Sequence, residues 1–158
     1  MIKLGVETAD QAEVRALLQA SDAYMAALYP AQSNHMLDVA ALMRPSVTFV
    51  VARGDGTALG CGAIVNSGEG WAEIKRMFVA PAARGQHIGR RLLEELETIA
   101  AQGGISLLRL ETGIKQLEAL SLYRSSGFFE IGPFASYRPD PWSVFMEKQL
   151  NVTVRLPP

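Results

Sequence analysis

The chain has 158 residues, of which 49% are hydrophobic and 20% are charged, a balance typical of a globular protein with one sizeable core. Its net charge of −1 provides no positive field for nucleic acid or an anionic membrane, and its apolar runs are too short to cross a bilayer. The single cysteine, Cys61, excludes an intramolecular disulfide, and the first ten residues lack a signal-peptide pattern, so we expect a cytoplasmic protein. One cysteine and two distant histidines argue against a structural metal site.

The first part of the chain predicts one strand followed by two helices. An apolar run at 2–6 favours a strand. Thr8 and Gln11 have the spacing of a capping box, and apolar residues then recur at helical intervals as far as Pro30. Residues 32–44 predict a second, shorter helix that ends before a proline.

The remainder predicts strands that alternate with helices. In chain order, it predicts a hairpin at 46–67 around Gly-Asp-Gly, a strand at 70–81, a helix with an apolar face from Ile88 to Ile99, a strand at 103–112, a helix closed by Gly127, and strands at 128–132 and 142–150. The order β-α-α-β-β-β-α-β-α-β-β indicates an α/β fold, with a mixed sheet covered by helices on both faces.

The segment 84–97, RGQHIGRRLLEELE, places three arginines at or before the start of a helix, where acidic residues are usual. The amides of a tight turn and the positive end of a helix can together bind one anion, and Gly85 and Gly89 allow its close approach. A phosphate or pyrophosphate fits these features. The alternative is that the arginines form surface ion pairs with the glutamates four residues further along.

Segment 79–96, VAPAARGQHIGRRLLEEL, resembles the acetyl-CoA-binding motif of the GNAT superfamily of N-acetyltransferases, Val-x-Pro-x-x-Arg-Gly-x-Gly-Ile-Gly followed by Leu-Leu. The one departure is His87, which stands where the family has its middle glycine. Its amide is retained, and its ring adds a second donor for phosphate. The matching positions are Val79, Pro81, Arg84, Gly85, Ile88, Gly89, Leu92 and Leu93.

A second segment, 116–128, resembles the Asn-x-x-Ala-x-x-Leu-Tyr-x-x-x-Gly-Phe motif of the same family, with Gln116 in place of the asparagine. The element order agrees too, so the resemblance covers nearly the whole chain. It implies a GNAT-like acyl-CoA N-acyltransferase domain at 1–150 and a C-terminal tail at 151–158. It also implies acetyl-CoA as cosubstrate, no metal, and in many members a homodimer. Neither nucleic acid nor a membrane is an expected partner.

The strand AEIKRMFVAP is expected to bind the pantetheine arm. Since successive residues of a strand alternate, Glu73, Lys75, Met77 and Val79 are predicted to share one side. The resemblance implies that this strand splays from the next, carries a bulge, and offers the amide of Met77 or Phe78 to the reaction's oxyanion. The cofactor contacts that it implies are Met77, Phe78, Val79, Arg84, Gly85, Gln86, His87, Ile88, Gly89, Arg90, Gln116 and Tyr123.

The transfer of an acetyl group to an alkyl amine needs a base, because such an amine is mostly protonated at neutral pH. The resemblance implies that Glu73 is this base and that Tyr123 is the general acid. Glu111 on the neighbouring strand is the competing base. The alternative for Glu73 is a structural ion pair with Lys75 or Arg76.

The acceptor is expected to be a primary amine. The resemblance places Tyr29, Ser33 and His35, together with Glu111, around it, while the loop that contains Tyr137 and Arg138 closes the other side or is simply solvated. Cys61, in an apolar strand, is expected to be a small buried residue. Two alternatives stay open: a non-catalytic acyl-CoA-binding module, and transfer of a different acyl group.

Overall fold

The computed structural model describes residues 1–33 and 36–151. His35 and the predicted tail beyond Asn151 lie outside the described residues. The strands are β1 (Ile2–Val6), β2 (Val47–Gly54), β3 (Thr57–Asn66), β4 (Trp71–Val79), β5 (Leu107–Gly113), β6 (Phe129–Ile131) and β7 (Ser143–Gln149). The helices are α1 (Ala12–Leu28), α2 (Val39–Leu42), α3 (Ile88–Gln102) and α4 (Leu117–Ser125), with 3-10 turns at Ala31–Ser33 and Pro81–Ala83. The predicted order of elements is confirmed.

The seven strands form one sheet in the order β1-β2-β3-β4-β5-β7-β6. Every neighbouring pair is antiparallel except β4 and β5, which are parallel and joined by α3. The β2–β3 hairpin turns at Asp55 and Gly56, with φ of 50° and 86°. Two positive φ values in a two-residue turn suit the twist of the flanking strands, so the predicted hairpin is confirmed.

Helices cover both faces of the sheet. On one face, the buried residues of α3 and α4 pack against Val50, Ile64, Ile74 and Leu110. On the other face, α1 and α2 pack around Phe49, Val51, Cys61, Ala63 and Phe78. No helix of the described residues is long and apolar enough to cross a membrane.

Two predicted helix starts differ from the structure. The N-cap of α1 is Gln11, whose side chain makes no cap hydrogen bond, and the hydroxyl of Thr8 accepts from the amide of Asp10 at 3.1 Å. The predicted capping box is therefore wrong. Of the described residues in the predicted helix at 32–44, only the four residues of α2 are α-helical. The carboxylate of Asp38 accepts from the Ala41 amide at 2.8 Å and begins the helix there.

The structure confirms that β4 has a bulge. Phe78 pairs with Cys61 but Lys75 pairs with Ala63, so both Arg76 and Met77 lie opposite a single glycine. Arg76 takes a φ of 58°, in the left-handed region that costs a non-glycine residue about 1–2 kcal/mol. The bulge reverses the alternation of the side chains that follow it.

The prediction that Glu73, Lys75, Met77 and Val79 share one side of the sheet is consequently wrong. Lys75 lies opposite Ala63, which belongs to the α1-side core, and Glu73 has the same orientation two residues earlier. Met77 and Val79 follow the bulge and pack against the α3-side core.

The splay of β4 from β5 is also confirmed. The parallel ladder runs from the pair Trp71–Leu107 to the pair Ile74–Leu110, and no later residue of β4 pairs with β5, although β5 continues to Gly113. A gap therefore opens between these two central strands at their carboxyl ends. In an open sheet with parallel strands, this edge is where ligands commonly bind.

Candidate active site

A large groove of about 770 Å³ runs along the splayed end of β4 and the starts of α3 and α4. Its volume lies in the range of pockets that enclose small molecules and cofactors. The groove brings together eleven of the twelve predicted cofactor contacts: Met77, Phe78, Val79, Arg84, Gly85, His87, Ile88, Gly89, Arg90, Gln116 and Tyr123. Gln86, an exposed residue of the same turn, is the twelfth predicted contact and is not among the lining residues.

The turn before α3 presents a series of backbone donors. Gly85 has a φ of 84°, and His87, the N-cap, has a φ of 60°, so the histidine takes the left-handed conformation that a glycine adopts more easily. The amides of Ile88, Gly89 and Arg90 lie in the first turn of α3, where an α-helix has no acceptor for them. These donors, at the positive end of the helix, can hold an anion.

The arginines around this turn have no carboxylate partner among residues 1–33 and 36–151. The guanidinium of Arg90 donates to Ser125 Oγ at 2.7 Å and to Ser126 Oγ at 3.4 Å, and that of Arg91 donates to the carbonyl of Ile2 at 3.1 Å. The alternative of surface ion pairs with the glutamates of α3 is therefore not what the structure shows. In the described part of the chain, these guanidinium groups therefore keep their positive charge near the turn with no ion pair to a carboxylate.

A small pocket of about 90 Å³ lies across the gap from the large groove. It is bounded by α1, by the segment after α1, by β4 and β5, and by the start of β7. Its lining includes Ser21, Met25, Tyr29, Ser33, Met36, Lys75, Arg76, Glu111, Thr112, Trp142 and Ser143. Three residues that were predicted to contact the acceptor, Tyr29, Ser33 and Glu111, line this pocket. Arg138, from the loop that was predicted to close the other side, is exposed and lines neither cavity.

Three residues, Met77, Gln116 and Tyr123, line both the large groove and the small pocket. The two cavities therefore adjoin where β4 separates from β5. A molecule in the groove and a second one in the pocket would meet beside these three side chains.

Tyr123 is held at this junction by α4. It is 5% exposed and packs edge-on against Phe128, with ring centroids 5.7 Å apart. Burial raises the pKa of the Tyr123 hydroxyl well above its usual value, so the group keeps its proton. A protonated phenol at this position can donate to an atom that gains negative charge.

Gln116 is fixed from the side of the pocket. Its Oε1 accepts from the amide of Gly113 at 3.0 Å and from the hydroxyl of Tyr29 at 3.5 Å. The Tyr29 hydroxyl also accepts from the amide of Lys115 at 3.1 Å, and burial raises the pKa of Tyr29. Tyr29 thus binds the loop that begins α4.

The two candidate bases have different surroundings. The carboxylate of Glu73 lies 3.2 Å from the ammonium of Lys75 and accepts from the hydroxyl of Tyr137 at 2.5 Å. Burial, and then the negative Glu73, raise the pKa of Tyr137. Glu111 lines the small pocket and accepts from Ser143 Oγ at 2.9 Å, whereas Glu73 is not among the lining residues.

Sequence reasoning missed several residues of the site. Ser21 and Met25 of α1 carried no motif, and Arg76 and Trp142 were not assigned to the pocket. Lys75 and Arg76 are adjacent in β4, so alternation would place one basic side chain on each covered face of the sheet, and this was a usable signal for Arg76. Trp142 is placed by a loop whose path no local pattern determines. Cys61, in contrast, is fully buried, as expected.

Comparison with known proteins is consistent with this geometry. Residues 13–128 match the model of the acetyltransferase (GNAT) family, and the chain belongs to that family. The enzyme is therefore an acyltransferase.

Two relatives illustrate the match. The chain is 49% identical over 150 residues to a protein of Azospirillum brasilense named IAA acetyltransferase, covering 94% of this chain and 98% of that one. It is 35% identical over 128 residues to YsnE of Bacillus subtilis (strain 168), an uncharacterized N-acetyltransferase, covering 80% and 85% of the two chains.

Solved structures share the fold. A candidate acyl-CoA N-acyltransferase from Klebsiella pneumoniae has a TM-score of 0.82 at 41% identity, covering 96% of this chain and 99% of that one. The PaiA N-acetyltransferase of Thermoplasma acidophilum, in complex with coenzyme A, has a TM-score of 0.74 at 20% identity, covering 94% and 99% of the two chains. This fold therefore binds coenzyme A in at least one solved structure.

Proposed function

We propose that this enzyme transfers the acetyl group of acetyl-CoA directly to a primary amine. The observation that carries the proposal is the meeting of the large groove and the small pocket at Tyr123, through the gap between β4 and β5. Two substrates that enter from opposite faces of the sheet would react there without a covalent enzyme intermediate.

The large groove is suited to the acetyl-CoA. The amides of the turn before α3, the helix end and Arg90 would hold the pyrophosphate, since together they provide directed donors and positive charge. The pantetheine arm would run along the splayed residues Met77, Phe78 and Val79, whose strand edge β5 leaves unpaired. This arrangement points the thioester toward Tyr123.

The chemistry would proceed in three proton-balanced steps. A base takes one proton from the acceptor ammonium, and the neutral nitrogen then attacks the thioester carbon. The amide of Met77 or Phe78 donates to the oxyanion of the tetrahedral intermediate. When the carbon–sulfur bond breaks, Tyr123 protonates the thiolate, and the second proton of the attacking nitrogen returns to the tyrosine. The base releases its proton to solvent.

We assign the role of base to Glu111, because its side chain lines the small pocket where an acceptor would bind. Glu73, which the resemblance favoured, is the alternative. Its carboxylate is already bonded to Lys75 and Tyr137, so a proton would reach it only by way of that network or of water.

The small pocket favours an acceptor that presents its amine on a narrow group. Its volume of about 90 Å³ is about three times the volume that one molecule occupies in liquid water. Met25, Met36 and Trp142 supply apolar walls. The name of the Azospirillum relative makes IAA a compound to include in the first acceptor panel.

A thiol-release assay tests the proposal. Acetyl-CoA is incubated with the enzyme and a panel of small amines, amino acids, peptides and IAA, with Tyr123→Phe as the matched control. We expect release of coenzyme A with at least one amine, together with an N-acetyl product by mass spectrometry. Tight binding of acetyl-CoA with no turnover across the panel would instead indicate an acyl-CoA-binding module, and faster turnover of propionyl-CoA would indicate a different acyl donor.

A further inference from the structure

Arg76 occupies the bulge of β4 with a backbone conformation that a glycine would adopt more easily. Its φ is 58°, and the residue that follows it is Met77, the first of the splayed residues that line the large groove. Strain in a non-glycine residue next to a site persists only where its surroundings enforce it. For Arg76, these surroundings are the groups that bind its side chain and its carbonyl.

The guanidinium of Arg76 is buried against α1. Its side chain is 3% exposed, one nitrogen donates to the carboxylate of Asp22 at 2.6 Å, and another donates to the carbonyl of Leu18 at 3.3 Å. Asp22 itself is 53% exposed, and the Nε of Arg76 is buried without a hydrogen-bond partner among the described residues. A buried cation with an incomplete set of partners costs stability, so stability alone does not account for it.

The backbone of Arg76 is held as well. The thiol of Cys61, on the neighbouring strand β3, donates to the carbonyl of Arg76 at 3.3 Å. The bulge is thus fixed from two directions, by β3 through the main chain and by α1 through the side chain. A shift of α1 would be transmitted to the bulge, and a shift of the bulge to α1.

The segment of α1 that Arg76 contacts forms part of both cavities. Ser21 and Met25 line the small pocket, and Tyr24 lines the large groove. All three lie within one or two turns of the two residues that Arg76 contacts. One side chain therefore links a wall of the pocket to the strand end that carries the Met77 and Phe78 amides.

We propose that Arg76 is a positioning residue that fixes α1 relative to the bulge of β4, so that the acceptor wall and the oxyanion amides keep a constant separation. The kinetic part of this inference rests on the proposed acetyl transfer. The mechanical part does not, because it concerns only the coupling of two segments of the chain.

Hydrogen–deuterium exchange tests the coupling without any acceptor. Arg76→Gly removes the guanidinium and relieves the positive φ, so the bulge itself remains allowed. We expect exchange to become about tenfold faster in both 18–25 and 76–79, since local opening then loses a shared constraint. Asp22→Asn, which removes only the charge at a half-exposed position, should produce a smaller change in the same two segments.

The matched control is Arg15→Ala, which removes another arginine–aspartate pair, between Arg15 of α1 and Asp10 just before the helix, with both side chains about half exposed. It should leave exchange in both segments at the wild-type rate. Faster exchange in 76–79 alone, or in neither segment, would overturn the proposal, as would an equal response to Arg15→Ala.

Kinetics with an acceptor from the amine panel provide a second readout. Arg76→Gly should raise the acceptor KM about tenfold while the Kd of acetyl-CoA changes by less than about threefold. Because Arg76 itself lines the small pocket, Asp22→Asn provides the second test: Asp22 lines neither cavity, so a raised acceptor KM in this variant reports positioning and not a lost contact with the acceptor. Equal losses for both substrates, in step with a lower free energy of unfolding, would indicate a merely structural residue. If no amine in the panel is acetylated, the proposed function fails, and the exchange data still decide whether Arg76 couples the segments.

Discussion

The carboxylate of Glu73 and the ammonium of Lys75 lie 3.2 Å apart on the same face of β4, and the hydroxyl of Tyr137 bridges them. Both side chains are nearly buried, at 14% and 13% exposed for Glu73 and Lys75 respectively. Lys75 also lines the small pocket, whereas Glu73 is not among its lining residues. We therefore propose that Glu73 contributes mainly to folding, whereas Glu111 is the base.

The first prediction compares Glu111→Gln with Glu73→Gln. Because Glu111 lines the pocket and is the proposed base, its amide variant should lower kcat by about 10²–10⁴-fold. Glu73→Gln should mainly reduce the free energy of unfolding, since it removes the charge that lies 3.2 Å from the nearly buried Lys75 ammonium and accepts from the Tyr137 hydroxyl. Steady-state kinetics across pH, together with urea unfolding of both variants, check this. The opposite pattern would identify Glu73 as the base.

The second prediction concerns Tyr123→Phe, which removes only the hydroxyl at the junction of the two cavities. We expect kcat to fall by about 10²-fold or more, as for the loss of a general acid, with little change in the Kd of acetyl-CoA. Because burial raises the pKa of Tyr123, activity should show no decline from its ionisation near pH 10. Calorimetric binding and a pH–rate profile check both points, and a parallel loss of binding and kcat would indicate a packing role.

The third prediction contrasts two adjacent arginines. Arg90 lines the large groove, whereas Arg91 donates to the carbonyl of Ile2 and is not among the lining residues. Arg90→Ala should weaken acetyl-CoA binding about tenfold, or ~1.4 kcal/mol. The difference in binding free energy between this variant and the wild type should become smaller at high salt, because salt screens the charge of Arg90. Arg91→Ala is the matched control and should bind almost as well as the wild type. Calorimetry at two salt concentrations decides, and equal effects of the two variants would contradict the proposed phosphate site.

The fourth prediction tests the packing of Tyr29 against the loop before α4. A Cβ added at Gly113 would lie 1.9 Å from the Tyr29 hydroxyl oxygen, so the buried ring would have to move. Gly113→Ala should reduce the free energy of unfolding by about 1–3 kcal/mol, as overpacking does. Gly5→Ala in β1, where an added Cβ meets nothing within 4 Å, is the control. Urea denaturation of both measures the effect, and equal stabilities would rule out a rigid contact.

The fifth prediction uses the thiol of Cys61. Burial raises the pKa of Cys61 from 9.0 to about 12, so in the folded protein the thiol stays protonated and inaccessible at neutral pH. It should react with a thiol reagent at pH 8 only after unfolding by urea. The unfolded thiol ionises first, so this group's contribution to stability is complete below about pH 9 and is lost as the pH rises toward 12.

The matched control for that pH dependence is Cys61→Ala. Its alkaline unfolding curve lacks the thiol contribution, while the buried tyrosines titrate in both proteins. The loss of stability between pH 9 and 11 should therefore be smaller in the variant, as measured by urea unfolding. Identical pH dependence in the two proteins would show that the thiol ionises equally in both states.

The sequence was sufficient to predict the elements and the turn before α3. Strong local signals determine these features: the two positive-φ residues of the β2–β3 turn, the apolar face of α3, and the glycines and arginines around His87. The cofactor contacts came instead from the resemblance to the GNAT motifs, and eleven of the twelve line one groove. Local signals alone predict the elements and an anion-binding turn, because these features depend on residues close in the chain.

The errors arose where a distant contact overrides the local pattern. Strict alternation along β4 failed because the bulge at Arg76 is set by register against β3 and by a guanidinium that reaches α1. The pocket wall at Trp142 depends on a loop that packs across β4 and β5, and no periodicity encodes its path. The Glu73–Lys75 ion pair was one of the alternatives from the sequence and is present, but the Tyr137 hydroxyl that bridges the pair comes from more than sixty positions away and was not predicted.

Under the proposed acetyl transfer, the shared lining of the two cavities by Met77, Gln116 and Tyr123 would limit which substrates the enzyme can hold at one time. An acyl chain longer than acetyl would pass through the gap between β4 and β5 and occupy volume that the nucleophile needs. Donor length and acceptor bulk are therefore competing properties in this fold. A substitution that enlarges the junction would relax both limits together, so it would broaden the substrate range on both sides of the sheet.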